Sequence, residues 1–490
     1  MTAPVRVIEP SGPGSATNPP RPDERSRVRT TVVLYTRDLR LDDHPALAAA
    51  VAEADRVVPL FVLDASILAS RYAAPNRVGH LIEALADLRA GLREREGDLV
   101  VRHGDVADEV AAVCASTGAG RVRLSADHSA YARRRTQRLR DALRDSGVEV
   151  VEHPGTTVVD PGAVLPAGGD HFRVFTPYWR RWEAAPRRTP VAAPDRVPVP
   201  ADLHPGDLPA WGDLVAGTRS PSVQPGGERA AQRRLHAWFE VDEVADYDDT
   251  RDRLDAQTSR LSADLHFGCL SPTRVEARVD RRRRGHDAFV RQLCWREFNT
   301  QVLAANPSLP RCDLRSQGDT WEHDEDAFAA WKAGRTGIPV IDAGMRQLRA
   351  EGWMHNRVRL LTASFLAKHL YVDWRLGAWH FMDWLVDGDL ANNFAQWQWA
   401  AGTGTDSRPN RVFNPVAQAR RHDPDGAYVR RHVPELAGLD ASFIHAPWEA
   451  GMVGPGRKHD HGLSALDLDY PPPIVDLAEA RDRFLTARGR

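Results

Sequence analysis

Cysteine is scarce in these 490 residues: Cys114, Cys269, Cys294 and Cys312, with no C-x-x-C spacing. That argues against a zinc ribbon and, at this length, against a disulfide scaffold. Lysine is scarcer, with only Lys332, Lys368 and Lys458 among 65 basic residues. Neither charge sign dominates; the net charge of −2 excludes a bulk polycation and an acidic tail protein. No apolar run reaches the roughly 18 residues of a membrane span. The first 29 residues hold Pro, Gly, Ser and Arg without an apolar signal-peptide core. They read as a disordered extension over 1–29, and the chain reads as a cytoplasmic protein. A Walker A loop, a G-x-G-x-x-G turn after the first strand, H-E-x-x-H and EF-hand spacing are all missing, which disfavours a P-loop ATPase, an NAD dehydrogenase and a metal site.

Hydrophobic residues at 42% and charged residues at 27% are those of an ordinary soluble protein large enough for several domains. The arginine excess is read as coding bias, since alanine is abundant too. Tryptophan is different: nine of the 14 fall between Trp295 and Trp399. Trp is bulky and its N–H needs a partner when buried, so this concentration points to a large core or a site for a flat ligand.

Apolar runs at 31–35, 57–63, 99–102, 122–124 and 148–151 alternate with helical patterns at 45–53, 76–96, 106–116 and 130–145. Such alternation predicts a doubly wound parallel sheet, whose ligands sit beyond the carboxyl ends of the strands. Nine prolines between 186 and 225 mark an irregular connector. Helical periods dominate afterwards, among them 228–239, 272–283, 288–305 and 353–371. The expected fold is therefore α/β plus all-α: an α/β domain over 30–156, a connector over 157–227 and a large helical domain over 228–490.

In 353–371, Met354, Val358, Leu361 and Phe365 share one apolar face, while Asn356, Leu360 and Ala363 fall opposite and Arg359 borders them. That pattern suits either a ligand wall or an ordinary amphipathic helix. Asp389 is a good N-cap for the next helix, in which Asn393 and Trp397 share a face and Trp399 points elsewhere. Hydroxyls at Thr258, Ser259 and Ser262 precede a short helix and could cradle a phosphate or merely cap it. The four-arginine run 281–284 reads as a solvated helix face. Residue pattern alone supports a Trp-lined cavity bearing Arg and Asn, for something flat and phosphorylated.

Taken together, Arg37-Asp-Leu-Arg-Leu-Asp-Asp-His44, Thr258-Ser-Arg-Leu-Ser262, Trp295-Arg-Glu-Phe298, Gly352-Trp-Met-His-Asn-Arg357, Trp397-Gln-Trp-Ala-Ala-Gly-Thr-Gly-Thr-Asp406 and Asp469-Tyr-Pro-Pro-Pro-Ile-Val475 resemble the DNA photolyase/cryptochrome family, closest to its bacterial class I cyclobutane pyrimidine dimer photolyases. The resemblance spans about residues 31 to 476 in the family's order. It implies an FAD in the helical domain, with Tyr247, Thr258, Ser259, Leu261 and Ser262 at its phosphate and ribose portion. Asn356, Arg359, Asp387, Asp389 and Asn393 would surround the isoalloxazine, Asn393 lying where the family places a residue by flavin N5. The implied activity is carbon–carbon lyase chemistry on UV-damaged DNA: excited reduced FAD lends an electron that splits the dimer. Arg251, Gln292, Trp295, Arg296, Asn356, Arg357, Leu360, Trp399 and Arg411 would meet the lesion or its phosphates. Trp397, Trp374 and Trp321 match the chain that relays electrons to oxidised FAD.

Two positions depart from the dimer-specific enzymes, which the resemblance expects to carry an acidic residue at Gln292 and Met at Leu360. Gln292 is instead similar to (6-4) photolyases and animal cryptochromes. Those (6-4) enzymes carry two adjacent His where this chain has His355-Asn356, and Asn356 cannot act as an acid. The alternatives are (6-4) repair and a blue-light photoreceptor signalling through a partner. The resemblance also implies a monomer and a second, antenna chromophore (folate or deazaflavin) on the α/β domain, with Asp38 and His44 as neighbours. Trp331, Trp353, Trp379 and Trp384 are read as core.

Overall fold

A computed structural model describes residues 28–202, 204–450 and 469–489. Apart from residues 28 and 29, the expected extension lies outside them. The strands β1 (Thr30–Tyr35), β2 (Arg56–Asp64), β3 (Val100–Gly104), β4 (Arg121–Ser125) and β5 (Glu149–His153) form one parallel sheet in the order β3-β2-β1-β4-β5. Strand order reverses between β1 and β4, so the crevice beyond their carboxyl ends is the ligand position of this topology. Every residue of β1 is buried, which is why it reads as an unbroken apolar run rather than an alternation.

The remainder is helical and holds a larger core around Trp331, Trp374, Phe381, Phe394 and Trp397. Within the segment read as connector, Phe175–Ala184 is a helix whose Phe175, Tyr178, Trp179 and Trp182 are buried. Farther along, Val197 is buried and donates its N–H to the Arg95 carbonyl.

Several boundaries differ from expectation. The helix expected over 272–283 stops at Ala277, and the next spans Arg284–Ala305. The arginine run therefore falls largely on a turn, where Arg281 meets Glu183 and Asp287, Arg282 meets Asp280, and Arg283 meets Asp242. The helix expected over 353–371 begins at Asn356, after His355 caps it through Nδ1, and gives way at Phe365–His369 to a π-helical turn. Of the tryptophans read as core, Trp331 is fully buried, whereas Trp379 and Trp384 are half-buried and covered by the guanidinium groups of Arg71 and Arg349.

Sheet and helical parts meet through buried polar groups. Arg40, 1% exposed, donates to the carbonyls of Asp43, Gly155 and Gly268. Gly268 has φ +69, and a Cβ there would collide with the Arg37 carbonyl. Asp38 and His44 lie in this seam, both fully buried, with His44 Nε2 2.9 Å from the Asp38 carboxylate. They face each other inside the domain junction and not an open crevice, unlike the antenna neighbours expected.

Burial alone would raise the Asp38 pKa, but His44, Ser125 and the Thr36 N–H outweigh it and hold the carboxyl at about 2. A lowered pKa gives stability that is present above the ordinary carboxylate range and lost as pH falls toward 2. Asp38→Asn is therefore expected to cost about 2 kcal/mol more at pH 6 than at pH 2. Denaturant unfolding of both proteins across that range checks this; a constant difference would contradict it.

Candidate functional site

A cavity of about 510 Å³ opens in the helical part, within the usual range for ligand sites. It gathers residues from five separate stretches of chain. Tyr247 and Arg251 lie on one wall, with Thr258, Ser259, Leu261 and Ser262 on the loop leading into the short helix Ser262–Phe267. Gln292, Trp295 and Arg296 come from Arg284–Ala305; Asn356, Arg357, Arg359 and Leu360 from Asn356–Ser364. Asp387 and Asp389 lead into Leu390–Ala401, which supplies Asn393, Trp397 and Trp399. Among the expected site residues, Trp321, Trp374 and Arg411 are the ones set behind or beside this lining.

One end of the cavity is built from charge held in fixed orientation. Arg359 Nη2 donates to Asp387 Oδ2 at 2.8 Å, and its Nε donates to the Met354 carbonyl. Asp389 caps Leu390–Ala401 by accepting from the Asn392 N–H and also receives Arg37 Nη2 at 2.7 Å. Burial would raise the Asp389 pKa, yet Arg37 and His266 hold it well below the usual range. Asn393 Nδ2 donates to the Ala378 carbonyl, which fixes the amide and leaves its oxygen as the free acceptor.

Four buried polar atoms of residues lining the cavity, His355 Nε2, Arg357 Nε, Asp387 Oδ1 and Trp397 Nε1, lack a hydrogen-bond partner among the described residues. Buried polar atoms are rarely left so, and these fit a bound group that presents both donors and acceptors. The aromatic and amide walls suit a planar ring system, and the Thr258–Ser262 hydroxyls suit its phosphates.

The other end is aromatic. Trp295 stacks on Phe175 with centroids 3.8 Å apart and planes 5° from parallel. Beneath it, Glu297 accepts from the Val158 and Val159 N–H groups and from Trp182 Nε1, tying Arg284–Ala305 to the connector. Trp399 has Arg411 over its ring at 5.0 Å and Phe413 beside it. Arg357 is held by Asp252 at 2.6 Å. Arg296 is placed differently from the expected phosphate contact: it donates to the carbonyls of Thr156 and Leu265, at the domain junction.

From the cavity outward, the 2% exposed Trp397 packs against Gly377, where a Cβ would collide with its ring. In the helix Trp374–Trp384, which carries Gly377, Trp374 is buried and donates to Asp313. Trp321 is half-buried and pairs with Tyr371 at 5.2 Å. Trp397 thus borders the cavity, Trp374 is fully buried and Trp321 reaches toward solvent.

Sequence reading missed several wall residues. Trp353 was read as core but lines the cavity, donating to Ser262 Oγ at 3.3 Å. The Arg260 guanidinium lies 4.2 Å over it, projected there by a left-handed backbone with φ 51. Asn299 and Asn392 hydrogen-bond each other at 2.9 Å in the same wall. Phe175 carried a signal, since Phe175, Tyr178, Trp179 and Trp182 recur at helical spacing.

Two family models match the chain: residues 31–199 match DNA photolyase, and residues 289–490 match the FAD binding domain of DNA photolyase. A deoxyribodipyrimidine photo-lyase from Streptomyces griseus is 52% identical over 462 residues, covering 94% of this chain and 99% of that protein. Some other relatives are named cryptochrome DASH. A solved bacterial class III photolyase from Agrobacterium tumefaciens is 33% identical with a TM-score of 0.87, covering 94% of this chain and 98% of that one. An archaeal photolyase from Sulfolobus tokodaii, solved with two FAD molecules and described as implying a novel light-harvesting cofactor, is 29% identical with a TM-score of 0.80, covering 94% and 99%.

Proposed function

The chain belongs to the DNA photolyase/cryptochrome family, and on that premise we propose that it is a deoxyribodipyrimidine photo-lyase which repairs cyclobutane pyrimidine dimers in UV-damaged DNA in light. One observation carries this reading: a single cavity presents Trp295, Asn356, Arg357 and Trp399 together with Arg359, Asp387 and Asn393. A signalling photoreceptor needs the second group and has no need of the first.

Thr258, Ser259 and Ser262 would hold the phosphates of FAD, with Tyr247 and Leu261 beside them. Arg359, Asp387, Asp389 and Asn393 would frame its ring. When bound and reduced, FAD supplies the excited-state electron that splits the dimer. The protein's part is binding and orientation. The lesion must leave the helix stack, which costs a few kcal/mol, least for a damaged base. Trp295 and Trp399 would receive the flipped bases, each stacking contact contributing about 1–3 kcal/mol. Gln292 would hydrogen-bond a pyrimidine edge beside Leu360. Arg251, Arg357 and Arg411 would meet backbone phosphates, making affinity fall with salt.

The (6-4) alternative needs an imidazolium acid. Burial pushes the His355 pKa down to about 4, so the ring is neutral at physiological pH, and its neighbour is Asn356. That favours the cyclobutane dimer as substrate.

A second chromophore would sit beside the helix Ala130–Leu143. There Arg135 Nε and Nη2 are buried without a partner among the described residues, beside Tyr131, the helix of both following β4. These donors suit the carbonyl-rich ring or acidic tail of a folate or deazaflavin. The enzyme would act as a monomer in the compartment that holds the DNA.

Reduced protein mixed with oligonucleotides bearing either lesion and lit with blue light tests the reading. Restored pyrimidines from the cyclobutane lesion, in light only, are expected. An intact cyclobutane lesion in the presence of reduced FAD would falsify it.

A further inference from the structure

Between the helices Leu390–Ala401 and Pro415–His422 the chain has no regular structure, yet it bears Arg411 and Phe413, which cover Trp399. What fixes this loop lies beneath it. Lys368 Nζ donates to the Pro409 and Arg411 carbonyls, each at 2.8 Å. From the helix Leu477–Ala487 and the residue after it, Arg488 donates to the same Pro409 carbonyl and to Asn410 Oδ1, both at 3.3 Å. Arg488 is itself anchored to Asp319 in a pair whose side chains are 2% and 1% exposed.

Lys368 is 1% exposed, so its amino group is out of water, burial pushes its pKa down to about 7, and it depends on these carbonyls and on the Phe484 ring face 5.5 Å away. It sits in the π-helical turn Phe365–His369, whose extra residue redirects side chains relative to the preceding helix. The residue type is informative because this chain uses arginine for 62 of its 65 basic residues. Two carbonyls two residues apart in one loop converge on a single nitrogen. A compact amino group with three donors meets that demand.

We propose that Lys368 is a positioning residue for damaged-DNA binding: it fixes the Pro409–Arg411 backbone so that Arg411 and Phe413 brace Trp399 at the cavity mouth. The proposal rests on the photo-lyase reading above.

The test uses full-length, FAD-loaded protein in the dark and a labelled duplex bearing one cyclobutane dimer. FAD content and repair per bound complex are recorded alongside affinity. Lys368→Met is expected to weaken binding about 10- to 100-fold, the loss of two buried hydrogen bonds that leaves both carbonyls unpaired, with FAD content and repair per bound complex unchanged. Lys368→Arg, which keeps the charge and protects folding, is expected to lose about tenfold and decides the matter if Lys368→Met does not fold. Combined with Arg411→Ala, either variant should lose less than the sum of the two single changes, because Lys368 acts in part through Arg411. Native affinity in both Lys368 variants, additive losses with Arg411→Ala, or parallel loss of FAD would each overturn the inference. Native protein that does not prefer the lesion over undamaged duplex would instead sink the photo-lyase reading.

Discussion

Arg359→Met protein is expected to purify without FAD and to melt well below the native chain. The Asp387 side chain is 3% exposed, and Arg359 is its ion-pair partner at 2.8 Å. Its other oxygen already lacks a partner among the described residues. Removing the guanidinium leaves a buried, uncompensated carboxylate, a change that costs about 3–5 kcal/mol, a large share of a typical folding free energy. The wall behind the flavin position would lose its order at the same time, because Arg359 Nε also holds the Met354 carbonyl. Arg359→Met combined with Asp387→Leu should recover much of the stability and none of the FAD, since both charges are then gone. Flavin absorbance per protein and the melting temperature report the two effects separately. A fully loaded Arg359→Met protein with native melting would remove this pair from the site.

Trp397→Phe is expected to abolish photoreduction of oxidised flavin while sparing repair by chemically reduced protein. Phe keeps an aromatic ring against Phe381 and gives up only the far edge of the indole, Cη2 and Cζ3, that meets Gly377, so the cavity wall is little disturbed. What it loses is an oxidisable indole in the cavity wall, the first member of the row proposed to run through Trp374 and Trp321. Repair uses an electron that leaves the flavin and returns to it, so it does not need that row. Absorbance changes under blue light with an external reductant measure the first property, and the lesion assay with pre-reduced protein measures the second. Equal loss of both would mean that Trp397 serves the cavity wall alone.

Much of the sheet domain was legible because buried parallel strands read as apolar runs and the helices between them start on clear signals. The helix Pro45–Glu53 begins with Pro at its first position after a capping His44, and its sequence-read limits match the structure. The stretch 353–371 misled because apolar spacing continues through a π-helical turn, which periodicity cannot see. Trp379 and Trp384 pack against the core as expected but turn one face to Arg71 and Arg349, a cover that spacing cannot show because those arginines lie elsewhere in the chain. Asp38 and His44 follow a strand's carboxyl end, usually a ligand position, but here the helical part closes over them.

The cavity itself was legible in two grades. Spacing alone indicated that Asn356 and Arg359 share the less apolar side of a helix, and that Asn393 and Trp397 share another. It gave no sign that Tyr247, Gln292 and Asp387 meet them, since contacts between distant stretches leave no period in a sequence. Motif resemblance supplied those. Neither route located Phe175 behind Trp295, because that contact depends on how the connector folds back onto Arg284–Ala305.

The seam around Arg40 also bears on domain exchange. Three carbonyls from separate parts of the chain converge on one buried guanidinium, and Gly268 sits against the Arg37 backbone with no room for a methyl group. A sheet domain taken from a relative is expected to seat on this helical half only where it carries an arginine at position 40 and leaves Gly268 its place against the backbone at 37. Folding of such a chimera should therefore follow these few contacts rather than the overall similarity of the two halves.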